Sequence, residues 1–382
     1  MQIKNLKKVV LRIKKAIKNK EKIILYGDSD LDGITSTIIL KEVINNFKGN
    51  ITAIYFPDRE KDGYGINKKA LNYLKKYAPA LLIALDCGIA NFKEVKKAKM
   101  MGFEVIIIDH HEILDKLPDA DIIVNPKQKG DKYPFKYFST AGLAFKFAEV
   151  FFNNKMPESL RKNFLELAAM ATIADIMPKI DENKKIINEG LSFLESSWRP
   201  GIQALLELEE FRGLDIIQKI SKINSILNVR GIKDKMPLTF LILSSSSKEE
   251  AKKIAEKLMK ESIKRKEKVK NIIDNIEKKM LNKKSFSFIF EGSSRWEMSV
   301  LGIVASYICN KYQKPVFLFK KGKSESCGTI RSVSGINVVE AMKGYAKKLI
   351  TFGGHPQAAG FRIKNKYLND FKKYLTKYFN RL

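Results

Sequence analysis

From residue 22 onward the chain alternates short apolar runs with stretches of helical spacing. KIILYG (22–27), ITAIYF (51–56), ALLIALD (80–86), FEVIIID (103–109) and DIIV (121–124) read as strands, the third of them buried. Between them TSTIILKEVINNF (35–47), INKKALNYLKKY (66–77) and FKEVKKAKMM (92–101) read as helices, with Thr35 or Ser36 placed to cap the first. A basic amphipathic helix near 4–19 precedes the series. Such alternation implies parallel strands joined by crossover helices, an α/β fold. Further on, 244–284 is highly charged, yet Ile254, Leu258, Val269, Ile273, Ile276 and Met280 recur at near-helical spacing. That pattern reads as a long connecting helix, with a coiled-coil dimer helix as the competing reading. FSFIF (286–290), VLGIVASYICNKY (300–312), PVFLF (315–319) and GTIRS (328–332) then describe a smaller α/β domain with a mixed sheet. The expected division is 1–244, 245–284 and 285–382.

Composition narrows the class. A chain of 382 residues with 45% hydrophobic content has room for two packed domains. No apolar run approaches a membrane span, and the N-terminus lacks the apolar core and cleavage site of a signal peptide, so a cytoplasmic protein without a membrane partner is expected. Cys87, Cys309 and Cys327 form no C-x-x-C pair, which argues against a disulfide framework or a zinc knuckle. The formal net charge of +29 favours a polyanionic partner through counterion release. Most of the excess is lysine, so solvated helix faces explain the same charge, and composition leaves both readings open.

The placement of the acids decides more. Asp28, Asp30 and Asp32 follow the first strand, Asp86 ends the third, and Asp109, His110 and His111 end the fourth. In an open α/β sheet the carboxyl ends of the strands share one crevice, so these groups converge. The chain has three histidines, His110, His111 and His355, and two of them stand directly after an aspartate at a strand end. DSDLDG fits the first half of a calcium loop, but the twelfth position is Ile39 and the preceding segment is strand-like. Three like charges within five residues still repel one another unless a cation or several N–H donors compensate. Carboxylates mixed with imidazole suit Mn²⁺ or Mg²⁺, and two such ions roughly 3.5–4 Å apart hydrolyse phosphoesters. Asp86, on the central strand, is placed to bridge them. Asp175, after the buried-looking LAAMATIA, needs a cation or N–H partners of its own.

DSDLDGITS (28–36), LDCG (85–88), DHH (109–111) and ATIADIMP (171–178) resemble the four ordered motifs of the DHH phosphoesterase superfamily. FPDREKDGYGIN (56–67), VNPKQ (124–128), STAGLAFK (139–146), LGIVASYICNKYQKPVFLF (301–319), GTIRSVSGINV (328–338) and GGHPQAAGF (353–361) narrow the resemblance to the RecJ branch. It implies a parallel-sheet DHH domain joined by a long helix to a DHH-associated domain with a mixed sheet. It also implies metal ligands at Asp30, Asp32, Asp86, His110 and Asp175, with two Mn²⁺ or Mg²⁺ ions, and His111, beside Asp109, as the group at the scissile phosphate. Many superfamily members have His where this chain has Tyr26, so either Asp28 completes the first metal site or that site is weak. In the second domain Arg331, Ser332, Gly353, Gly354 and His355 are the implied phosphate contacts. Asn228 and Arg230, in NSILNVRG (224–231), lie on a segment resembling one near the nucleic-acid path.

The implied function is a metal-dependent exonuclease of single-stranded DNA or RNA. DNA and 5′ to 3′ polarity are favoured, with a role in DNA repair or replication. The chain resembles the compact archaeal type, without the appended OB domain, as a monomer or weak oligomer with a GINS-like replication protein among the candidate partners. Two other readings are weighed: a phosphodiesterase of short oligonucleotides or cyclic dinucleotides, and a replication scaffold. The scaffold reading predicts lost ligands, and Tyr26 is the one sign of erosion.

Overall fold

The computed structural model describes residues 2–59, 62–113, 116–153, 155–229, 231–281 and 286–381. After α1 (Leu6–Lys18) the chain runs β1 (Ile23–Gly27), α2 (Leu31–Asn46), β2 (Ile51–Tyr55), α3 (Lys68–Leu74), β3 (Ala80–Leu85), α4 (Phe92–Met100), β4 (Phe103–Ile108) and β5 (Ile122–Val124). The five strands make one sheet in the order β2-β1-β3-β4-β5, parallel throughout. β1, β3 and all of β4 but Glu104 are buried, which is why these strands are continuous apolar runs. Alternate residues serve two cores: Leu25, Ile83 and Ile108 face α1, α2 and the helices that follow the sheet, while Ile24, Leu82 and Ile107 face α3 and α4. The order reverses between β1 and β3, and the crevice at that switch point is where such sheets take ligands.

The rest of the first unit is helical: α5 (Thr140–Phe151), α6 (Glu158–Ala174), α7 (Asp181–Ser192), α8 (Pro200–Leu206) and α9 (Ile216–Leu227), a two-residue ladder of β6 (Ile232–Lys233) and β7 (Met236–Pro237), and α10 (Leu238–Ser244). α11 (Lys248–Leu281) is one continuous helix, and two compact units, 1–262 and 263–382, divide inside it. Ile254 and Leu258 join the first unit's core, and Ile276 and Met280 the second's.

The second unit holds β8 (Ile289–Ser293), α12 (Met298–Tyr312), β9 (Val316–Lys321), β10 (Glu325–Arg331), α13 (Val338–Lys343), β11 (Leu349–His355), β12 (Ala358–Lys364) and α14 (Leu368–Phe379). Its sheet order is β11-β12-β10-β9-β8, with β8 parallel to β9 and the other pairs antiparallel. The expected mixed sheet is present. Its first strand begins at Ile289 rather than Phe286, because Phe286 and Phe288 precede the strand and pack beside it.

Two local expectations are corrected. The cap of α2 is Asp30, whose carboxylate accepts from Gly33 N–H; Thr35 and Ser36 lie inside the helix and donate back to Leu31 and Gly33 carbonyls. The helix expected at 66–77 is shorter, capped by Asn67 and ending at Leu74 in a 3₁₀ turn.

One buried acid outside the crevice makes stability pH-dependent. Glu166, on α6, is 2% exposed; Ser197 Oγ donates to its Oε2 at 2.9 Å, and Oε1 has no hydrogen-bond partner. Burial pushes its carboxyl up to about 8, against smaller opposing effects of Ser197 and Arg199. The folded state therefore keeps a proton that the unfolded chain releases near pH 4.5, and stability falls as pH rises from there to about 8. Glu166→Gln keeps the Ser197 bond without the charge. In urea denaturation its stability advantage over wild type should grow by about 3 kcal/mol between pH 5 and pH 8.

Candidate metal centre

The loop after β1 and the first turn of α2 carry three aspartates to the switch point. Gly33 permits this, because a Cβ there would lie 2.4 Å from the Asp28 carbonyl oxygen and 2.7 Å from its amide nitrogen. Asp28 is fully buried. Asp32 accepts from the first turn of α5, Oδ1 from Ala141 N–H at 2.8 Å and Oδ2 from Thr140 N–H at 2.7 Å. That turn is fixed by Ser139, whose hydroxyl accepts from Gly142 N–H. A helix N-terminus thus orients one carboxylate of the cluster.

Asp86 follows β3 in the left-handed region, at φ 60°, an uncommon conformation for a residue with a side chain. Its amide donates to the Ile108 carbonyl, its carbonyl accepts from Tyr64 Oη, and its Oδ1 accepts from Thr140 Oγ1 at 3.0 Å. Burial, then the charges of Asp32 and Asp30, raise its carboxyl well above the usual range. Asp30 is raised too, by burial first and then by the charge of Asp32. Asp175 caps the C-terminus of α6, where burial and then Asp32 push it up to about 7. A group of acids that each resist ionisation is an incomplete electrostatic arrangement.

The two imidazoles at the end of β4 behave differently. His110 is 4% exposed, and burial, its largest influence, leaves it below the ordinary histidine range. Its Nε2 lies 3.3 Å from Asp175 Oδ2, 3.4 Å from Asp86 Oδ1 and 3.8 Å from Asp32 Oδ2, yet neither ring nitrogen has a hydrogen-bond partner among the described residues. Buried polar atoms are rarely left so. His111 is more exposed, and its Nδ1 is 2.7 Å from Asp109 Oδ1. Burial alone would lower His111, but the Asp109 bond and charge outweigh it and the net shift is upward. Asp109, fully buried, also accepts from the amides of Ile89 and His111; burial would raise it, and His111 holds it below its ordinary value.

Among the described residues, ligand-type atoms converge in three groups, each within 4.8 Å: Asp86, His110 and His111; Asp32, His110 and Asp175; and Asp28, Asp30 and Asp86. Hard carboxylates with one or two imidazoles, around an orphaned ring nitrogen, fit a divalent cation such as Mn²⁺ or Mg²⁺. Tyr26 stands apart: its hydroxyl donates to the Gly65 carbonyl, accepts from Asn67 Nδ2, and its ring stacks on Tyr55.

Residues 22–172 match the model of the DHH family, N-terminal domain, and residues 283–381 that of the DHHA1 domain. The chain is a RecJ-like member of the DHH family. It is 35% identical, over 98% of its length, to the single-stranded-DNA-specific exonuclease RecJ of Bacillus subtilis (strain 168), of which the alignment covers 48%. RecJ of Salmonella typhimurium is 29% identical over 94% of this chain and 66% of its own. The chain thus spans about half to two-thirds of these relatives. A crystal structure of exonuclease RecJ bound to manganese superposes with a TM-score of 0.86 at 25% identity, covering 100% of this chain and 96% of that one.

The remaining expected residues lie elsewhere in this RecJ-like chain. Asn228 caps α9 in the first unit, and Arg230 lies outside the described residues. In the second unit Arg331 and His355 sit on strands either side of β12, both in register with Ala358. Arg331 Nη1 donates to the Ile330 carbonyl and Nε to Ser306 Oγ, while the buried Ser332 Oγ has no partner. Gly353 and Gly354 belong to β11, at the sheet edge. Three contributors were not assigned from the sequence: Arg59, Tyr64 and Thr140. Each lies inside a motif that carried the resemblance, but no spacing rule ties an arginine 27 positions beyond Asp32 to that acid's neighbours.

Proposed function

We propose that the chain is a divalent-cation-dependent exonuclease that removes nucleotides from single-stranded DNA, 5′ to 3′, in DNA repair inside the cell. The observation that carries this is His110 Nε2, buried without a hydrogen bond among oxygens of Asp32, Asp86 and Asp175. In this reading Asp28, Asp30, Asp32, Asp86, His110 and Asp175 would hold two cations, Asp86 belonging to two of the converging groups. Cations of this kind lower the pKa of water and stabilise charge on a phosphoryl group. Asp109 holds the Nδ1–H of His111, leaving Nε2 of the more exposed ring to exchange a proton with the leaving oxygen. Arg331, Ser332, Gly353, Gly354 and His355 hold backbone phosphates. The family membership and the names of the relatives support a nuclease, and a full set of acids and imidazoles argues against a scaffold that has lost its chemistry. Among the described residues no helix is long and apolar enough to cross a membrane.

The test is cleavage of single-stranded DNA labelled at either end, beside duplex DNA, single-stranded RNA and a dinucleotide, with Mn²⁺ or with chelator. Mononucleotides released from the 5′ end of single strands, in Mn²⁺ alone, are expected. Equal rates on the dinucleotide and the long strand, or undiminished cleavage in chelator, would overturn the proposal.

A further inference from the structure

Two acids of the Asp28–Asp30–Asp86 group already hold a cation of the chain's own. Arg59, beyond β2, donates from Nε to Asp28 Oδ1 at 2.8 Å and from Nη2 to Asp30 Oδ2 at 2.8 Å, and Nη2 also touches Asp28 Oδ2. The guanidinium therefore spans the two carboxylates that, with Asp86, form one of the three converging groups. Asp28 is fully buried and its pairing replaces water, so an uncompensated charge there would be costly. A metal ion bound by carboxylates at about 2.0–2.2 Å uses the same lone pairs that now accept from Arg59. The two cations cannot share them.

We infer that Arg59 is a built-in counter-ion of the Asp28–Asp30 pair that an incoming divalent cation must expel. The setting permits the exchange. The Arg59 side chain is 27% exposed, its guanidinium lies over the Tyr64 ring at 5.4 Å, and Tyr64 is flanked by Gly63 and Gly65, both at positive φ. Within the acid cluster the guanidinium bonds Asp28 and Asp30, while on Asp175 it acts through its charge as a smaller influence, so the competition falls mainly on the Asp28–Asp30–Asp86 group. The consequence is an order of filling: the Asp32–His110–Asp175 group loads first, and the Asp28–Asp30–Asp86 group only at higher cation concentration.

This inference rests on the metal-binding reading above, and the experiment separates the two. Wild type and Arg59→Gln are titrated with MnCl₂ alone by calorimetry. The arginine Nε–H signal of wild type that is missing from Arg59→Gln is followed by NMR as diamagnetic Mg²⁺ is added. Wild type should bind in two phases, the weaker tightening about tenfold or more in Arg59→Gln, and the Arg59 signal should move as Mg²⁺ saturates. Superimposable isotherms would overturn the inference. So would a tighter isotherm with an unmoved signal, since the charge would then act through space without leaving. No saturable binding by either protein would overturn the metal-binding reading and this inference together. Should Arg59→Gln fail to fold, Arg59→Lys, which keeps the charge but lacks the fork, replaces it and should show the same tightening to a smaller degree.

Discussion

Replacing Asp86 by asparagine should lower Mn²⁺-dependent cleavage of single-stranded DNA on the order of 10³-fold or more, and at the same time raise the melting temperature of the metal-free protein. The two effects share one cause. Asp86 is buried beside Asp32 and Asp30, and burial first, then those charges, make its ionisation unfavourable in the fold. Its folded pKa is raised above the unfolded value, so at neutral pH and above the ionised carboxylate destabilises the metal-free state. Asparagine removes that charge, retains an oxygen that can accept from Thr140 Oγ1, and tolerates the φ of 60° better than alanine would. Activity falls because the same carboxylate is shared by two of the three converging groups, so its loss weakens both. Thermal melts in chelator and initial rates in Mn²⁺ check the pair of outcomes. A variant that is less stable without metal, or that keeps wild-type rates, would show that Asp86 is a structural acid.

The sheet was legible because its central strands are buried on both faces and so read as unbroken apolar runs, and the acids were legible because they stand at strand ends where the order of such sheets puts ligands. The limits of that reading are physical too. Thr35 and Ser36 look like caps in the sequence, but a helix start is decided by which carboxylate reaches the third amide, and Asp30 does so while remaining at the cluster. Arg59 and Thr140 left no such sign, because an ion pair or a hydrogen bond between sequence-distant groups has no periodic trace. Tyr26 could be judged only by its partners: a phenol bonded to Gly65 and Asn67 in a stack with Tyr55 is a core residue, so its place in the motif carries packing rather than ligation.

Asp109→Asn should lower kcat by about 10–100-fold while changing KM and Mn²⁺ affinity little. Asp109 is not itself a member of the three converging groups; it acts on His111, which belongs to one of them, accepting from the ring at 2.7 Å and from the backbone amide at 3.1 Å. An asparagine there presents a carbonyl or an amide. The carbonyl keeps the Nδ1–H tautomer but gives up the charge, and the amide forces the proton to Nε2. Either way His111 loses the partner whose bond and charge lift it against the opposing pull of burial. With His111 protonated as the proton donor, wild-type kcat declines as pH rises through that elevated pKa. In Asp109→Asn the decline should begin at lower pH, so the variant's deficit widens toward alkaline pH and narrows toward acid pH. A structural defect would instead lower kcat by the same factor at every pH. The deciding measurement is kcat against pH at saturating single-stranded DNA and Mn²⁺; parallel profiles would remove His111 from the proton-transfer step.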